Sequence, residues 1–144
     1  MKKEDKGHYS KKHRPDRKLE PTIADAVREK STSGEISCAA AFRIAGDLVV
    51  DPGEVGFTID SLEFRIAKCQ MGLFGYRPEK CIVEPAERVE QTLEAAIRRS
   101  LIDGRLPCIA AWKIAESLKV SKMAVASACE AKKIKISACQ LGAF

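Results

Sequence analysis

The cysteines of this chain are the residues best suited to hold a metal ion, through their thiol side chains. Four of its six cysteines occupy equivalent places in two similar stretches of sequence: Cys38, Cys69, Cys108 and Cys139. Four thiolates are the ligand set of structural zinc and of iron–sulfur clusters. No CxxC pair occurs, so the four could meet only through the tertiary fold. Because free cysteine is among the most frequently buried residue types, the favoured interpretation is small apolar core residues with no cofactor, and a zinc or iron–sulfur site is the alternative.

Polar side chains near the end of the sequence form a second candidate site, for phosphate. Five of them fall in one predicted helix and the strand after it: Lys122, Ser127, Lys132, Lys133 and Lys135. Lysine contacts to phosphate supply much of the affinity of proteins for nucleic acid. The equivalent helix of the earlier stretch has no basic residue and carries Glu54 and Asp60, which would repel phosphate. Only the later stretch is therefore predicted to bind nucleic acid.

The two stretches are copies of one unit. A shift of 70 positions aligns residues 15–74 with residues 85–144 without a gap, and 19 of the 60 aligned positions are identical. A single offset kept over that length indicates an internal duplication. The predicted organisation is a basic arm at 1–14, a first repeat at 15–74, a linker at 75–84 and a second repeat at 85–144.

Charge separates the two copies. Residues 20–74 carry five Lys/Arg and nine Asp/Glu, whereas residues 90–144 carry nine and five. The first repeat is therefore acidic and the second basic; the opposite charges could also serve simply to dock one copy on the other. Residues 1–18 add eight Lys/Arg and three acids without apolar periodicity, which predicts a flexible arm that is either solvated or lies on phosphate.

Hydrophobic spacing predicts the same elements in each repeat: helix, short strand, helix, tight turn, helix and strand. The first helix is predicted at residues 21–30, and its copy is predicted to be longer and to open at Pro85. Gly34 and Gly104 are predicted to end these two helices. The third helices are predicted to begin after Asp51 and Ser121, which are good N-caps.

This element order, with one apolar motif, resembles the winged-helix version of the helix-turn-helix fold of bacterial regulators. The motif reads Ile114-Ala115-Glu-Ser-Leu118-Lys-Val120-Ser121 and continues with Val125 four residues later. The turn position that is usually glycine in that family is Val49 in one copy and Lys119 in the other. Since a β-branched residue is a poor occupant of the left-handed conformation, the first turn is expected to be built differently.

The wing is the second departure from the family. Little sequence follows the last strand of either copy, so a wing hairpin would be rudimentary, or the strands of the two copies would pair with each other. The resemblance implies a mainly α fold with short β-strands, made of two winged-helix-like repeats packed as an intramolecular pseudo-dimer.

The implied function is regulation of transcription through double-stranded DNA, with the second repeat and the arm contacting phosphate. The alternative is a non-catalytic protein–protein interaction module, engaging a partner through the first repeat, or a cysteine or metal sensor. An enzyme is not expected, since phosphate-loop, metalloprotease and nucleophile-elbow motifs are missing and both histidines lie in the arm. A charged N-terminus and the lack of a long apolar run predict a cytoplasmic protein without a membrane partner.

Overall fold

The computed structural model describes residues 19–144, and in this part of the chain six helices and four short strands form two units. In these residues, unit 1 comprises 19–69 together with Gln140–Phe144, and unit 2 comprises Gln70–Cys139. The fold is therefore mainly helical with two similar halves, as predicted. No helix among the described residues is long and apolar enough to cross a membrane. The basic arm predicted at 1–14 lies outside the described residues.

Unit 1 contains the elements predicted for the first repeat. They are α1 (Pro21–Lys30), β1 (Glu35–Ser37), α2 (Cys38–Leu48), α3 (Pro52–Ser61) and β2 (Arg65–Ala67). Proline begins both α1 and α3, where its missing N–H removes no helical hydrogen bond. Ile23 and Val27 lie one turn apart on α1 and are both buried. The predicted core positions of α3, Val55 and Ile59, are also fully buried.

Unit 2 repeats this order. Its elements are α4 (Gln91–Arg99), β3 (Leu106–Pro107), α5 (Cys108–Leu118), α6 (Lys122–Ala131) and β4 (Ile136–Ser137). The prediction that α4 opens at Pro85 and exceeds α1 in length is wrong, because the helix begins at Gln91. The reason is a tertiary hydrogen bond: the Ala86 N–H donates to the Ser127 carbonyl at 3.0 Å. That bond holds the segment before α4 in a non-helical conformation against α6.

Each unit has its own two-stranded parallel sheet. In unit 1, β1 pairs with β2 and places Ile36 opposite Ile66; in unit 2, β3 pairs with β4 and places Leu106 opposite Ile136. Two helices lie between the paired strands in each case, which supplies the long crossover that parallel pairing needs. Of the two alternatives for the wing, pairing between strands of different copies is therefore wrong. Within residues 19–144, no further strand follows β2 before α4 or follows β4.

The turn between the second and third helices has the same backbone in both units. Val49 has φ 53° and ψ 52°, and Lys119 has φ 56° and ψ 43°, so both are left-handed. The following N–H, of Val50 or Val120, donates to the carbonyl five residues earlier at 3.0 Å. The expectation that the first turn is built differently is wrong. A valine accepts a conformation that costs L-residues roughly 1–2 kcal/mol.

Gly34 and Gly104 lie in a second pair of matched turns, between the first helix and the first strand of each unit. The helices end earlier, at Lys30 and Arg99, so the prediction that these glycines end them is wrong. In each turn the preceding residue, Ser33 or Asp103, also has a positive φ. Positive φ at both central positions matches the twist of a two-residue hairpin, which explains why the second position is glycine.

Each compact unit contains the segment that follows the last strand of the other repeat. Residues 70–74 of the first repeat belong to unit 2, whereas Gln140–Phe144 of the second repeat belong to unit 1. Met71 and Leu141, at matched positions, are both 1% exposed. In unit 1 the Leu141 carbonyl lies so close to Gly56 that a Cβ on Gly56 would overlap it. A glycine at that point of α3 therefore allows Gln140–Phe144 to complete the unit.

Candidate nucleic-acid interface

Helix α6, which contains Lys122 and Ser127 of the candidate phosphate site, has little exposed surface. Ser121 caps its first turn by accepting a hydrogen bond from the Ala124 N–H at 3.0 Å, as predicted. The apolar positions Val125 and Cys129 are buried, together with the alanines beside them. Glu130 is the one residue of the helix that is exposed rather than buried or half-buried. A carboxylate there is repelled by phosphate and does not form the arginine or lysine contacts that read guanine.

Lys122, the first residue of α6, is engaged within unit 2. Its Nζ lies 4.3 Å from the centroid of the Trp112 ring, a cation–π distance. The same ammonium donates to Oε1 of Gln70 at 3.3 Å. These groups line an open groove of about 650 Å³ with Glu116. Lys122 is half-buried, so its charge is directed to a tryptophan and an amide of its own unit.

Ser127 faces another part of the same unit. It is half-buried, and its carbonyl accepts the hydrogen bond from Ala86 described above. The groove beside it has a volume of about 750 Å³ and is lined by α6 and by residues between Glu84 and Leu93. The structure therefore places Ser127 against the segment that precedes α4.

Lys132 lies just after α6 and pairs with Glu94 of α4. Its Nζ is 3.3 Å from Oε1 of Glu94, and Nε of Arg98 is 3.2 Å from Oε2 of the same carboxylate. The hydrogen bonds from Lys132 and then Arg98 hold the pKa of Glu94 below its ordinary value of 4.5. Lys132 is exposed but shares its charge with this carboxylate.

Lys133 and Lys135 are exposed beyond the end of α6, and Arg105 lies beside them. The Leu106 N–H donates to the Lys135 carbonyl at 2.9 Å, which joins the two chain segments. Extending the register of β3 and β4 by one residue sets Arg105 opposite Lys135, the pair that matches Glu35 and Arg65 in unit 1. We call Arg105, Lys132, Lys133 and Lys135 the basic edge.

Arg105 was not among the residues predicted to bind phosphate. The signal was nonetheless available in the repeat alignment, since a shift of 70 positions matches Arg105 with Glu35. Three of the five predicted residues belong to the basic edge, whereas Lys122 and Ser127 are half-buried in α6.

Unit 1 lacks an equivalent edge. Its residues at the four matched positions are Glu35, Leu62, Glu63 and Arg65. Its third helix is also more enclosed than α6, because every residue from 55 to 60 is buried. Asp60 is only 3% exposed, so it does not form the acidic surface expected of α3, whereas Glu54 is exposed.

None of the four repeat-matched cysteines is joined in a disulfide bond. Cys38, Cys69 and Cys108 are buried, and Cys139 is half-buried. Among residues 19–144, no group of three or more His, Cys, Asp or Glu side chains is placed so that it could hold a metal ion. The four thiols are therefore not brought together as a zinc or cluster site. Burial also raises the pKa of the unmatched Cys129 to about 11.

No family model, curated protein or solved structure matches this chain.

Proposed function

We propose that this protein is a non-catalytic, DNA-associated regulatory protein whose unit 2 contacts the phosphate backbone of duplex DNA through the basic edge. The observation that carries the proposal is a difference between matched surfaces. The edge has four exposed cations in unit 2, whereas unit 1 has one cation and two carboxylates at the same positions. A shared backbone with opposite surface charge indicates that the cations serve a role of unit 2 alone.

Phosphate contact without base reading is the binding mode that these residues favour. Lysine and arginine bound to phosphate release counterions, which gives affinity that is independent of sequence and sensitive to salt. Phosphate contacts position a protein on the duplex, whereas base contacts specify the sequence. With Glu130 as the exposed residue of α6, the helix exposes no arginine, lysine, asparagine or glutamine to read a purine. We infer a helix-turn-helix unit of winged-helix type in which the basic edge takes the place of the wing.

The non-catalytic part of the proposal depends on the titratable groups of the two units. Both histidines of the chain fall in residues 1–18, so residues 19–144 have no imidazole to act as a general base. The Cys129 thiol stays protonated at neutral pH because its pKa is about 11. A protonated, buried thiol is a poor nucleophile.

Fluorescence anisotropy with a mixed-sequence duplex, measured over a series of salt concentrations, tests the proposal. We expect the logarithm of the affinity to fall linearly with the logarithm of the salt concentration. Replacing Lys133 and Lys135 by glutamine is expected to reduce that slope by about 2, one for each phosphate contact.

Lys119 provides a matched control. Like Lys133 it is an exposed lysine in the left-handed conformation after a helix. It lies at the opposite end of α5 from β3, about 16 Å along a helix of 11 residues. Lys119→Gln is expected to leave the slope unchanged. Binding that does not depend on salt, or equal effects of Lys119→Gln and Lys133→Gln, would contradict the proposal.

A further inference from the structure

The turn between α2 and α3 presents an apolar side chain to water. Val49 is 88% exposed, the highest value among the large apolar residues of the described chain, and its backbone is left-handed. Asp47 and Asp51 flank it and are exposed. The Asp51 side chain makes no capping bond to α3, so its carboxylate is not used there. We call Asp47, Val49 and Asp51 the acidic turn.

Nothing in the folding of unit 1 requires this combination. A β-branched residue in the left-handed region is strained, and a surface valine gains no burial in return. Unit 2 builds the same turn with Ser117, Lys119 and Ser121 at the matched positions. The backbone of the turn therefore does not dictate an apolar residue between two carboxylates, which indicates a contact with something outside the unit.

A surface of complementary chemistry occurs in unit 2. Ile102 is 63% exposed and is joined to Arg105 by two backbone hydrogen bonds, of 2.8 and 3.0 Å, across a two-residue turn. The next residue, Leu106, donates its N–H to the Lys135 carbonyl at 2.9 Å, so the sheet register extended by one residue sets Arg105 opposite Lys135. An exposed apolar side chain thus lies beside two cations. We call Ile102, Arg105 and Lys135 the basic hairpin.

The basic hairpin is also confined to one repeat. The matched positions of unit 1 are Thr32, Glu35 and Arg65, which provide neither the apolar side chain nor the pair of cations. Each repeat has therefore diverged at one surface, and the two surfaces complement each other in charge and in apolar character.

We propose that the acidic turn of one molecule docks on the basic hairpin of a second copy of this chain. Val49 and Ile102 remove apolar surface from water, while Asp47 and Asp51 face Arg105 and Lys135. Such an interface uses a different surface on each partner, so it is heterologous and adds molecules head to tail. The inference does not depend on the proposed DNA contact, because it concerns the protein without nucleic acid.

Sedimentation velocity of the whole chain, freed of nucleic acid, tests this interface. At about 50 mM NaCl we expect the average mass to rise with protein concentration. At about 500 mM NaCl the Debye length is about threefold shorter, so the species is expected to return to the monomer. A protein that stays monomeric at low salt, or that associates equally at both ionic strengths, overturns the proposal.

Two substitutions taken from the opposite repeat separate the two surfaces. Val49→Lys introduces the residue that unit 2 has in the same left-handed position, and Arg105→Glu introduces the residue of unit 1. Each variant alone is expected to be monomeric, since one of its surfaces is lost. In an equimolar mixture, the acidic turn of the Arg105→Glu variant can dock on the basic hairpin of the Val49→Lys variant. Because each variant has only one intact surface, the mixture is expected to form a dimer that grows no further.

The mixture distinguishes a head-to-tail interface from any other. If either variant alone still associates, or if the mixture stays monomeric, the assignment of the surfaces is wrong. Should one of these variants melt early, Asp51→Ser and Ile102→Thr replace them, because both residues are present at the matched positions of the other repeat. Glu130→Gln changes an exposed charge outside both surfaces and is expected to associate like the unaltered protein.

Discussion

Units 1 and 2 share their backbone far more closely than their side chains. Every non-glycine residue with a positive φ in the described chain has a partner 70 positions away: Ser33 and Asp103, Val49 and Lys119, Glu63 and Lys133, Lys68 and Ala138. The paired φ values differ by at most 3°. Such conformations are costly for most L-residues, yet side chains as different as valine and lysine occupy them. Turn geometry was thus retained after the duplication, while the surfaces built on it diverged.

The largest expected effect comes from a buried position at which α3 and α6 differ. Gly56 of α3 contacts the Leu141 carbonyl, whereas the matched residue of α6 is Ala126, which is fully buried. Gly56→Ala inserts a Cβ against a backbone atom that cannot rotate away. We expect a loss of about 1–3 kcal/mol in the free energy of unfolding, measured by chemical denaturation.

The reciprocal change, Ala126→Gly, is the matched control. It removes a methyl group from a buried helix without creating overlap, and glycine costs about 0.5–1 kcal/mol relative to alanine within a helix. The expected loss in the free energy of unfolding is therefore smaller than for Gly56→Ala, and it comes from helix propensity and a lost methyl group rather than from steric overlap. Equal stability of Gly56→Ala and the unaltered protein would mean that Gln140–Phe144 does not pack closely on α3.

Arg105 and Glu35 occupy matched positions at the two sheet edges, so single substitutions can reverse the charge of either edge. Arg105→Glu gives the basic edge the residue of unit 1, and we expect an about tenfold weaker affinity for duplex DNA at low salt, or about 1.4 kcal/mol. The reason is the loss of one cation and the addition of one repulsive carboxylate. Glu35→Arg makes the converse change in unit 1 and is expected to leave binding through unit 2 undiminished. Anisotropy titrations on both variants give the comparison.

The left-handed turns allow a stability test that is independent of any ligand. Glycine adopts positive φ without steric cost, so Val49→Gly relieves backbone strain while it removes an exposed side chain. We expect a gain of up to about 1 kcal/mol, observed as a higher midpoint in thermal unfolding, reduced by the greater chain entropy of unfolded glycine. Lys119→Gly should gain less, because lysine is not β-branched. A loss of stability in Val49→Gly would show that the valine packs on its own unit.

The smallest expected effect concerns Glu94. Its pKa is lowered in the folded state by Lys132 and Arg98, so its ionised form is favoured by folding. That stabilisation is present above the ordinary pKa of 4.5 and is lost as the pH falls through the lower folded value. We expect Glu94→Gln to melt slightly earlier than the unaltered protein at neutral pH and at the same temperature in strong acid. Salt should reduce the difference, since the ion pair lies at the surface.

Local patterns predicted much of the fold. The bounds of α1 follow from a proline and an apolar face, and Ser121 caps α6 as its residue type indicates. The start of α4 could not be predicted, because the bond from Ala86 to Ser127 joins residues far apart in sequence. The left-handed backbone of Val49 is disfavoured for a β-branched residue, so its residue type did not predict it. The other repeat has the same turn at Lys119.

The candidate site was predicted only in part, for the same reason. Lys132, Lys133 and Lys135 are exposed, as charged residues at the end of a helix commonly are. Lys122 has an equally favourable position in sequence, but Trp112 and Gln70 bind it within unit 2, and Gln70 is 52 residues away. Charge counting assigns the cations to a repeat, whereas only the tertiary contacts decide which of them face solvent.

The exchange of residues 70–74 and Gln140–Phe144 between the compact units has a consequence for biosynthesis. All of unit 2 is one continuous run of sequence, so it can fold as soon as that run has left the ribosome. Unit 1 needs Leu141, which is translated after every residue of unit 2. The half whose synthesis begins first is therefore the last to be completed, and until then the surface of α3 around Gly56 stays uncovered.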